Sequence, residues 1–207
     1  MKKLGIINYG AGNYGSVWNA YEYLNVTPIE VQEPSQLREV DHIVLPGVGS
    51  FPACMKKLQS IGIVEALHKE VIEEGKPFLG ICVGMQILAT VGYEFKECNG
   101  LNWIHGKVDK IDTSVSHLRL PHIGWNECNI KRNCVLFSGI DEKAMFYFVH
   151  SYHLQPKSDE HIAAVSEYGT PIVAVIQKEN IFGVQFHPEK SQRHGLQLLK
   201  NFASINC

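Results

Sequence analysis

Hydrophobic and polar positions switch between two periods along the first half of the chain. Leu4–Asn8 is a short apolar run that reads as a strand, with glycine and asparagine turn residues after it. Val17, Ala20, Tyr21 and Leu24 then fall at i, i+3, i+4 and i+7, which predicts a helix over Ser16–Leu24 with one apolar face. Strand-like runs follow at Pro28–Val31 and His42–Leu45, the second ending at Pro46. Ile63–Glu74 turns Val64, Leu67 and Val71 to one side as a helix and stops at Gly75. It feeds a strand over Phe78–Ile81, and a further helix starts just after Cys82.

The second half has a different texture. Trp103–Ile111, Cys134–Phe137, Met145–Ser151, Ile162–Val165, Ile172–Gln177 and Ile181–Gln185 are successive strand-like runs, and a helix over Gly195–Ala203 closes the chain. The early β-α rhythm predicts an α/β fold with a parallel sheet covered on both faces. The later strands predict a mixed or small antiparallel extension. No repeat, low-complexity block or linker interrupts the 207 residues, so one domain over 1–207 is expected.

Composition narrows the function classes. With 45% hydrophobic and 19% charged residues and a net charge of −2, the chain has no basic run or charge excess of the kind that binds nucleic acid. Its apolar stretches fall far short of the roughly 18–20 residues of a membrane helix, and Met1–Asn8 is too short for a secretory signal. A cytoplasmic location is expected. The six cysteines (54, 82, 98, 128, 134 and 207) form no C-x-x-C pair and no zinc-finger spacing with histidine, so reduced thiols and no metal site are expected. His42, His105 and His161 read as locally hydrogen-bonded histidines, and the cysteines other than Cys82 as packing or exposed residues.

Three short segments carry chemistry. Gly80-Ile81-Cys82-Val83-Gly84 has the G-x-C-x-G form of a nucleophile elbow between a strand and a helix. The turn exposes a thiol at a helix N-terminus, where free N–H groups and the dipole favour thiolate, and the Val83 N–H points to where an oxyanion would form. The same pentapeptide would also suit a buried structural cysteine. Phe186-His187-Pro188-Glu189 follows a strand, so His187 can act as base to a cysteine while Glu189, across a rigid proline turn, orients it. In isolation it could be a solvated surface turn. Leu45-Pro46-Gly47-Val48-Gly49 allows peptide rotation useful for a second oxyanion N–H, or is simply a tight turn. It lacks the lysine and length of a phosphate-binding loop.

Taken together, Pro46–Gly49, G-I-C-V-G-M-Q at Gly80–Gln86 and H-P-E-K-S-Q at His187–Gln192 resemble the class I, triad-type glutamine amidotransferases. A narrower likeness, to glutaminase subunits of imidazole glycerol phosphate synthases, rests on four more blocks. These are Asn8-Tyr9-Gly10-Ala11-Gly12-Asn13, Pro121–Asn126, Tyr147–Tyr152 and the closing G-L-Q-L-L-K-N-F. Ala89–Lys110 and Asp112–Leu118 depart from the pattern.

The resemblance implies a flavodoxin-like three-layer sandwich with a mixed central sheet. It implies a triad of Cys82, His187 and Glu189, with Val83 and a peptide within Gly47, Val48 and Gly49 as oxyanion hole. Gln86, Glu94, Ser151 and Tyr152 would bind glutamine. Asn13, Trp125, Tyr147 and Lys190 would face a (β/α)₈ synthase that consumes the ammonia in histidine biosynthesis, with no cofactor in this subunit. For Trp125 and Tyr147 an ordinary core role stays open, and for Lys190 a solvated one. Three other readings also stay open: a paralogue feeding a cell-surface sugar amidation, a cysteine redox sensor, and a silent binding subunit.

Overall fold

A computed structural model of the chain describes residues 2–10, 12–114 and 116–206. Ala11 of the N-terminal block, Val115 and Cys207 lie outside the described residues.

The apolar runs at the start of the chain become the centre of an eight-stranded sheet. Its strands in chain order are β1 (Leu4–Ile7), β2 (Ile29–Val31), β3 (His42–Gly47), β4 (Phe78–Cys82), β9 (Asn129–Ile130), β12 (Ile162–Glu167), β13 (Pro171–Lys178) and β14 (Ile181–Val184). Their order across the sheet is β2-β1-β3-β4-β14-β13-β12-β9. The first five are parallel, and β13, β12 and β9 add on in antiparallel fashion. The expected mixed sheet is therefore present. Strands β1, β3, β4 and β14 are buried along their whole length, as a sheet covered on both faces requires.

The helices cover it. α1 (Tyr14–Tyr23) joins β1 to β2, and the chain then crosses back past β1 to β3. α2 (Phe51–Ser60) and α3 (Val64–His68) join β3 to β4 in the opposite sense across the sheet. With right-handed crossovers, α1 and the α2–α3 pair lie on opposite faces. α5 (Gln192–Ala203) packs on α1 and completes that layer. Between α3 and β4 the helix widens into a π-turn over Lys69–Glu73, so the stretch expected as one helix is two helical forms in series.

Two smaller sheets flank the main one. A four-stranded sheet has the order β11-β7-β5-β6, from β5 (Ala89–Gly92), β6 (Cys98–Asn99), β7 (Ile104–Lys110) and β11 (Tyr152–Pro156). A two-stranded ribbon pairs β8 (His122–Glu127) with β10 (Met145–His150). In β10 the period-two pattern turns Phe146, Phe148 and His150 inward and leaves Met145 exposed. On β8 it buries His122 and exposes Ile123 and Trp125.

One expected strand is something else. Cys134–Phe137 is an apolar run with Leu136 and Phe137 buried, but Val135–Phe137 forms a 3₁₀ turn. The reason lies in its partners: the Leu136 and Ser138 carbonyls accept from the Asn201 side chain of α5 rather than from a neighbouring strand. The helix after Cys82, α4, is a single turn, Val83–Gln86.

The ribbon encloses a run of imidazoles. His122 and His150 are opposite one another in register, with His122 Nδ1 and His150 Nε2 3.0 Å apart. The His122 ring stacks between Phe148 and Tyr168 at 4.8 and 4.0 Å. Burial pushes His122 down to about 4, His150 to about 3 and His153 to about 4 from an ordinary value of 6.5. His42 Nε2 lies 2.9 Å from the Ile205 carbonyl and His161 sits beside Glu160, both in local contacts.

These three neutral histidines predict acid lability. Each contributes stability that is complete above pH 6.5 and lost as pH falls toward about 4, because the unfolded chain then binds up to one more proton at each site. Thermal unfolding measured from pH 7 to 4 should show this fall, and His122→Phe should flatten it. An unchanged slope would remove His122 from the account.

Candidate active site

Three adjacent strands of the main sheet, β3, β4 and β14, end at the same edge, and each delivers part of one cleft. Gly47 closes β3, Cys82 closes β4, and His187 follows β14 by three residues. This is the carboxyl edge of a parallel sheet, where α/β proteins place their reactive groups.

The turn at Cys82 is strained. Its φ of 54° and ψ of −111° lie where a side chain is seldom tolerated. The surrounding glycines make that geometry possible. A Cβ on Gly84 would run into the Leu45 carbonyl, and one on Gly47 into the Gly84 backbone. The backbones of β3 and α4 therefore touch directly, and the thiol is carried above them into the cleft.

His187 lies beside this sulfur as its hydrogen-bonding neighbour. On the other side its Nδ1 is 2.7 Å from Glu189 Oε1. The side chains of His187 and Glu189 are 2% and 0% exposed, so water screens neither charge. Burial alone pushes the imidazole pKa down. The hydrogen bonds and charges of Cys82 and Glu189 outweigh it and raise His187 to about 10. Asn13 Nδ2 also donates to Glu189 Oε1, at 2.8 Å. Glu189 Oε2 is buried with no hydrogen-bond partner among the described residues.

The loop bearing His187 is tied to the ribbon through backbone groups. His187 N donates to the Tyr147 carbonyl at 2.9 Å, and Tyr147 N donates to Ser191 Oγ at 3.0 Å. Ser191 Oγ in turn donates to the His187 carbonyl at 2.6 Å. Phe146 of β10 stacks on Phe186 with ring centres 4.1 Å apart, a contact worth about 0.5–1.5 kcal/mol beyond its buried area.

The cleft itself has a volume of about 580 Å³, ample for an amino acid. Cys82, Val83, Gln86, Glu94, Ser151 and Tyr152 line it together, with Val48 and Gly49 at one rim. Every residue anticipated for nucleophile, base or substrate contact thus borders one space, Glu189 excepted, which stands behind His187. Glu94 does a second job, since its Oε2 accepts the Phe51 N–H at 2.8 Å and caps α2. Gln86 spends both amide hydrogens inside the protein, on the Tyr152 carbonyl (2.8 Å) and Gln185 Oε1 (3.1 Å). It therefore offers a ligand only its carbonyl oxygen.

Of the four residues expected at a partner face, Trp125 is 42% exposed, which ends its reading as a core aromatic. Its ring lies 6.0 Å from that of Tyr147, and Lys190 Nζ lies 6.0 Å from the centre of the Tyr147 ring. Asn13 reaches the Glu189 carboxylate. The α4 dipole is that of one turn, so it supports a thiolate less than the sequence suggested. A residue the motifs passed over also reaches the sulfur: Gln185 Nε2 lies 3.7 Å from Cys82 Sγ. Its signal was a glutamine at the end of an otherwise apolar run, Ile181–Phe186.

The comparisons with known proteins agree with this geometry. The family model for glutamine amidotransferase class-I matches residues 8–205. The imidazole glycerol phosphate synthase subunit HisH of Pelagibacter ubique (strain HTCC1062) is 45% identical over 204 residues, covering 97% of this chain and 98% of that protein. Subunit HisH 1 of Campylobacter jejuni (strain RM1221) is 46% identical over 202 residues, covering 98% and 100%. Among solved structures, that of PurLQS from Thermotoga maritima superposes with a TM-score of 0.75 over 98% of both chains. At 18% identity that likeness concerns the fold.

The His187–Glu189 contact makes a prediction with a definite sign. A histidine raised from 6.5 to about 10 contributes stability that is whole below pH 6.5 and lost as pH rises through about 10. Glu189→Gln should therefore lower the melting temperature most at pH 6 and progressively less toward pH 10. Calorimetry across that range checks it, and a pH-independent difference would contradict it.

Proposed function

The chain belongs to the class-I glutamine amidotransferases, and from that footing we propose that it is the glutaminase subunit of an imidazole glycerol phosphate synthase, acting as one domain over 1–207. The observation that carries the reading is the row of Cys82, His187 and Glu189 in one cleft at adjacent strand ends. The names of the 41–46% identical relatives favour the histidine pathway over a sugar amidation. A redox sensor would need no carboxylate behind its histidine, and a silent subunit would need no triad.

The chemistry follows from the positions. Cys82 attacks the side-chain carboxamide carbon of glutamine, and negative charge collects on its oxygen. The Val83 N–H, together with a peptide of Gly47, Val48 or Gly49 once rotated inward, stabilises that oxygen. The C–N bond then breaks, and His187 gives its proton to the departing ammonia. A glutamyl thioester remains. Water enters, His187 takes its proton, and glutamate leaves with the sulfur restored. Glu189 keeps the imidazole in its tautomer and holds its charge.

Gln86 Oε1, Glu94, Ser151 and Tyr152 bind the substrate's polar ends. No cofactor takes part in this reading. Ammonia passes to a (β/α)₈ synthase docked on the side of Trp125, Tyr147, Lys190 and Asn13, in the cytoplasm. Among the described residues no helix is long and apolar enough to cross a membrane.

Cys82→Ala should abolish synthesis from glutamine while leaving synthesis from ammonium salts intact when the partner is present. Loss of both, or of neither, would refute the nucleophile assignment.

The exposed Val48–Gly49 rim and the ribbon's hold on His187 suggest gating. The isolated chain should be nearly inactive and should gain ~10²–10³-fold when a synthase carrying its nucleotide substrate docks, the usual worth of one oxyanion donor. Lys190→Ala should weaken that activation more than it weakens glutamine binding. Steady-state rates with and without partner test both, and full activity of the isolated chain would contradict gating.

A further inference from the structure

On the side of Cys82 away from Glu189, a line of buried and part-buried hydrogen bonds runs from the ribbon to the nucleophile. Its links are Asn126 Nδ2 to His122 Nε2 (3.3 Å), His122 Nδ1 to His150 Nε2 (3.0 Å) and His150 Nδ1 to the Tyr152 carbonyl (2.9 Å). Gln86 Nε2 meets the same carbonyl at 2.8 Å and Gln185 Oε1 at 3.1 Å. Gln185 Nε2 ends the line at Cys82 Sγ, 3.7 Å away.

The direction of every link is forced. A carbonyl oxygen only accepts, so His150 carries its hydrogen on Nδ1 and Gln86 must turn its nitrogen toward Tyr152. Neutral His150 then accepts at Nε2, which puts the His122 hydrogen on Nδ1 and leaves its Nε2 to accept from Asn126. At the other end, Gln86 has only N–H groups to offer Gln185. Gln185 must therefore present its oxygen to Gln86 and its nitrogen to the sulfur.

We propose that Gln185 is a positioning residue for the nucleophile: its amide N–H holds the Cys82 sulfur, and the Tyr152 carbonyl, acting through Gln86, dictates which way that amide points. This rests on the reading of Cys82 as the nucleophile. Gln185 is 0% exposed, so water does not compete for the contact. An N–H donor aimed at sulfur favours thiolate over thiol, and because its own oxygen is engaged, the amide cannot flip to present an acceptor instead.

The other titratable groups around the sulfur are His187, Tyr9 and Cys54. Burial keeps the last two neutral, Tyr9 by raising it far above its ordinary value and Cys54 by raising it to about 12. Around His150 the titratable neighbours are His122, His153 and His187. Burial keeps His122 and His153 neutral above about 4, so His187 is the one charged group facing it at neutral pH.

The test uses the purified full chain and needs no partner or glutaminase activity, so its outcome is separate from that of the Cys82→Ala assay. Iodoacetamide labelling of Cys82 is followed by peptide mapping from pH 5 to 10. Gln185→Met keeps the length of the side chain but removes the donor. It should slow labelling at pH 7 by roughly tenfold or more, the worth of a hydrogen bond to a charged group, while leaving the alkaline plateau unchanged. A general loosening of the fold would alter the plateau and not the profile's position.

Gln86→Leu removes the donor that fixes the Gln185 oxygen, and it should shift the profile in the same direction by a smaller amount. A Gln185→Met profile that superimposes on that of the native chain overturns the proposal. So does a Gln86→Leu profile unchanged from native, for the part played by Gln86.

Discussion

Strand β4 hands over to α4 within a single residue, and it can do so only because the backbone of β3 lies in contact with the turn. Gly47 and Gly84 meet without side chains between them, and Gly84 rests on the Leu45 carbonyl. That contact holds Cys82 at a positive φ, a conformation that costs on the order of 1–3 kcal/mol and persists only where the surroundings enforce it. The rest of the site is built around the consequence. A sulfur lifted clear of the sheet has a face toward β14, where His187 and Gln185 wait, and a face toward the cleft. The order of the sheet matters for the same reason: β3, β4 and β14 must be neighbours for one strained turn to serve a base and an oxyanion loop at once.

Enclosing so many polar groups is costly unless each is matched. Apart from Glu189 Oε2, which has no hydrogen-bond partner among the described residues, the site meets that requirement with two networks that converge on Cys82. One is charged: sulfur, His187, Glu189 and Asn13, with Ser191 bracing the loop from behind. The other is neutral: Gln185, Gln86, Tyr152 and the two ribbon histidines. Their separation has a physical logic. A proton must travel in the first network, where the hydrogen bonds and charges of Cys82 and Glu189 raise His187 to about 10. In the second nothing should move, and burial keeps its imidazoles neutral across the physiological range.

Legibility in the sequence follows the range of the interactions. Cys82, His187 and Glu189 were readable because their chemistry is local: a glycine-flanked turn and a two-residue step across proline. The strand–helix alternation was readable for the same reason. No helix is predicted from the sequence at α2: its apolar face is there in Phe51, Cys54, Met55 and Leu58, but its cap is Glu94, more than forty residues away. Cys134–Phe137 looked like a strand because a four-residue apolar run has no period to speak of. Asn201, from the last helix, decides the matter. Gln185 could not be placed by motif, since its meaning depends on Gln86, and that of Gln86 on a carbonyl in β11. His122 and His150 sit in blocks that were visible as blocks, yet only the ribbon's register brings their nitrogens together.

The ribbon emerges as the element through which surface and chemistry are joined. Its outer side shows Ile123, Trp125 and Met145 to solvent, while its inner side touches both networks. Tyr147 lies at the crossing point: its backbone holds His187 and Ser191, and its ring meets Trp125 and lies near Lys190. A two-stranded ribbon packed on one side only is among the least constrained parts of such a fold. Pressure on its outer face would therefore be felt at the base, through the backbone hydrogen bonds of Tyr147 to His187 and Ser191. Coupling of this kind needs no large movement. A few tenths of an ångström at Tyr147 displace His187 relative to a sulfur that the glycine contact keeps still, and that relative displacement is what the chemistry responds to.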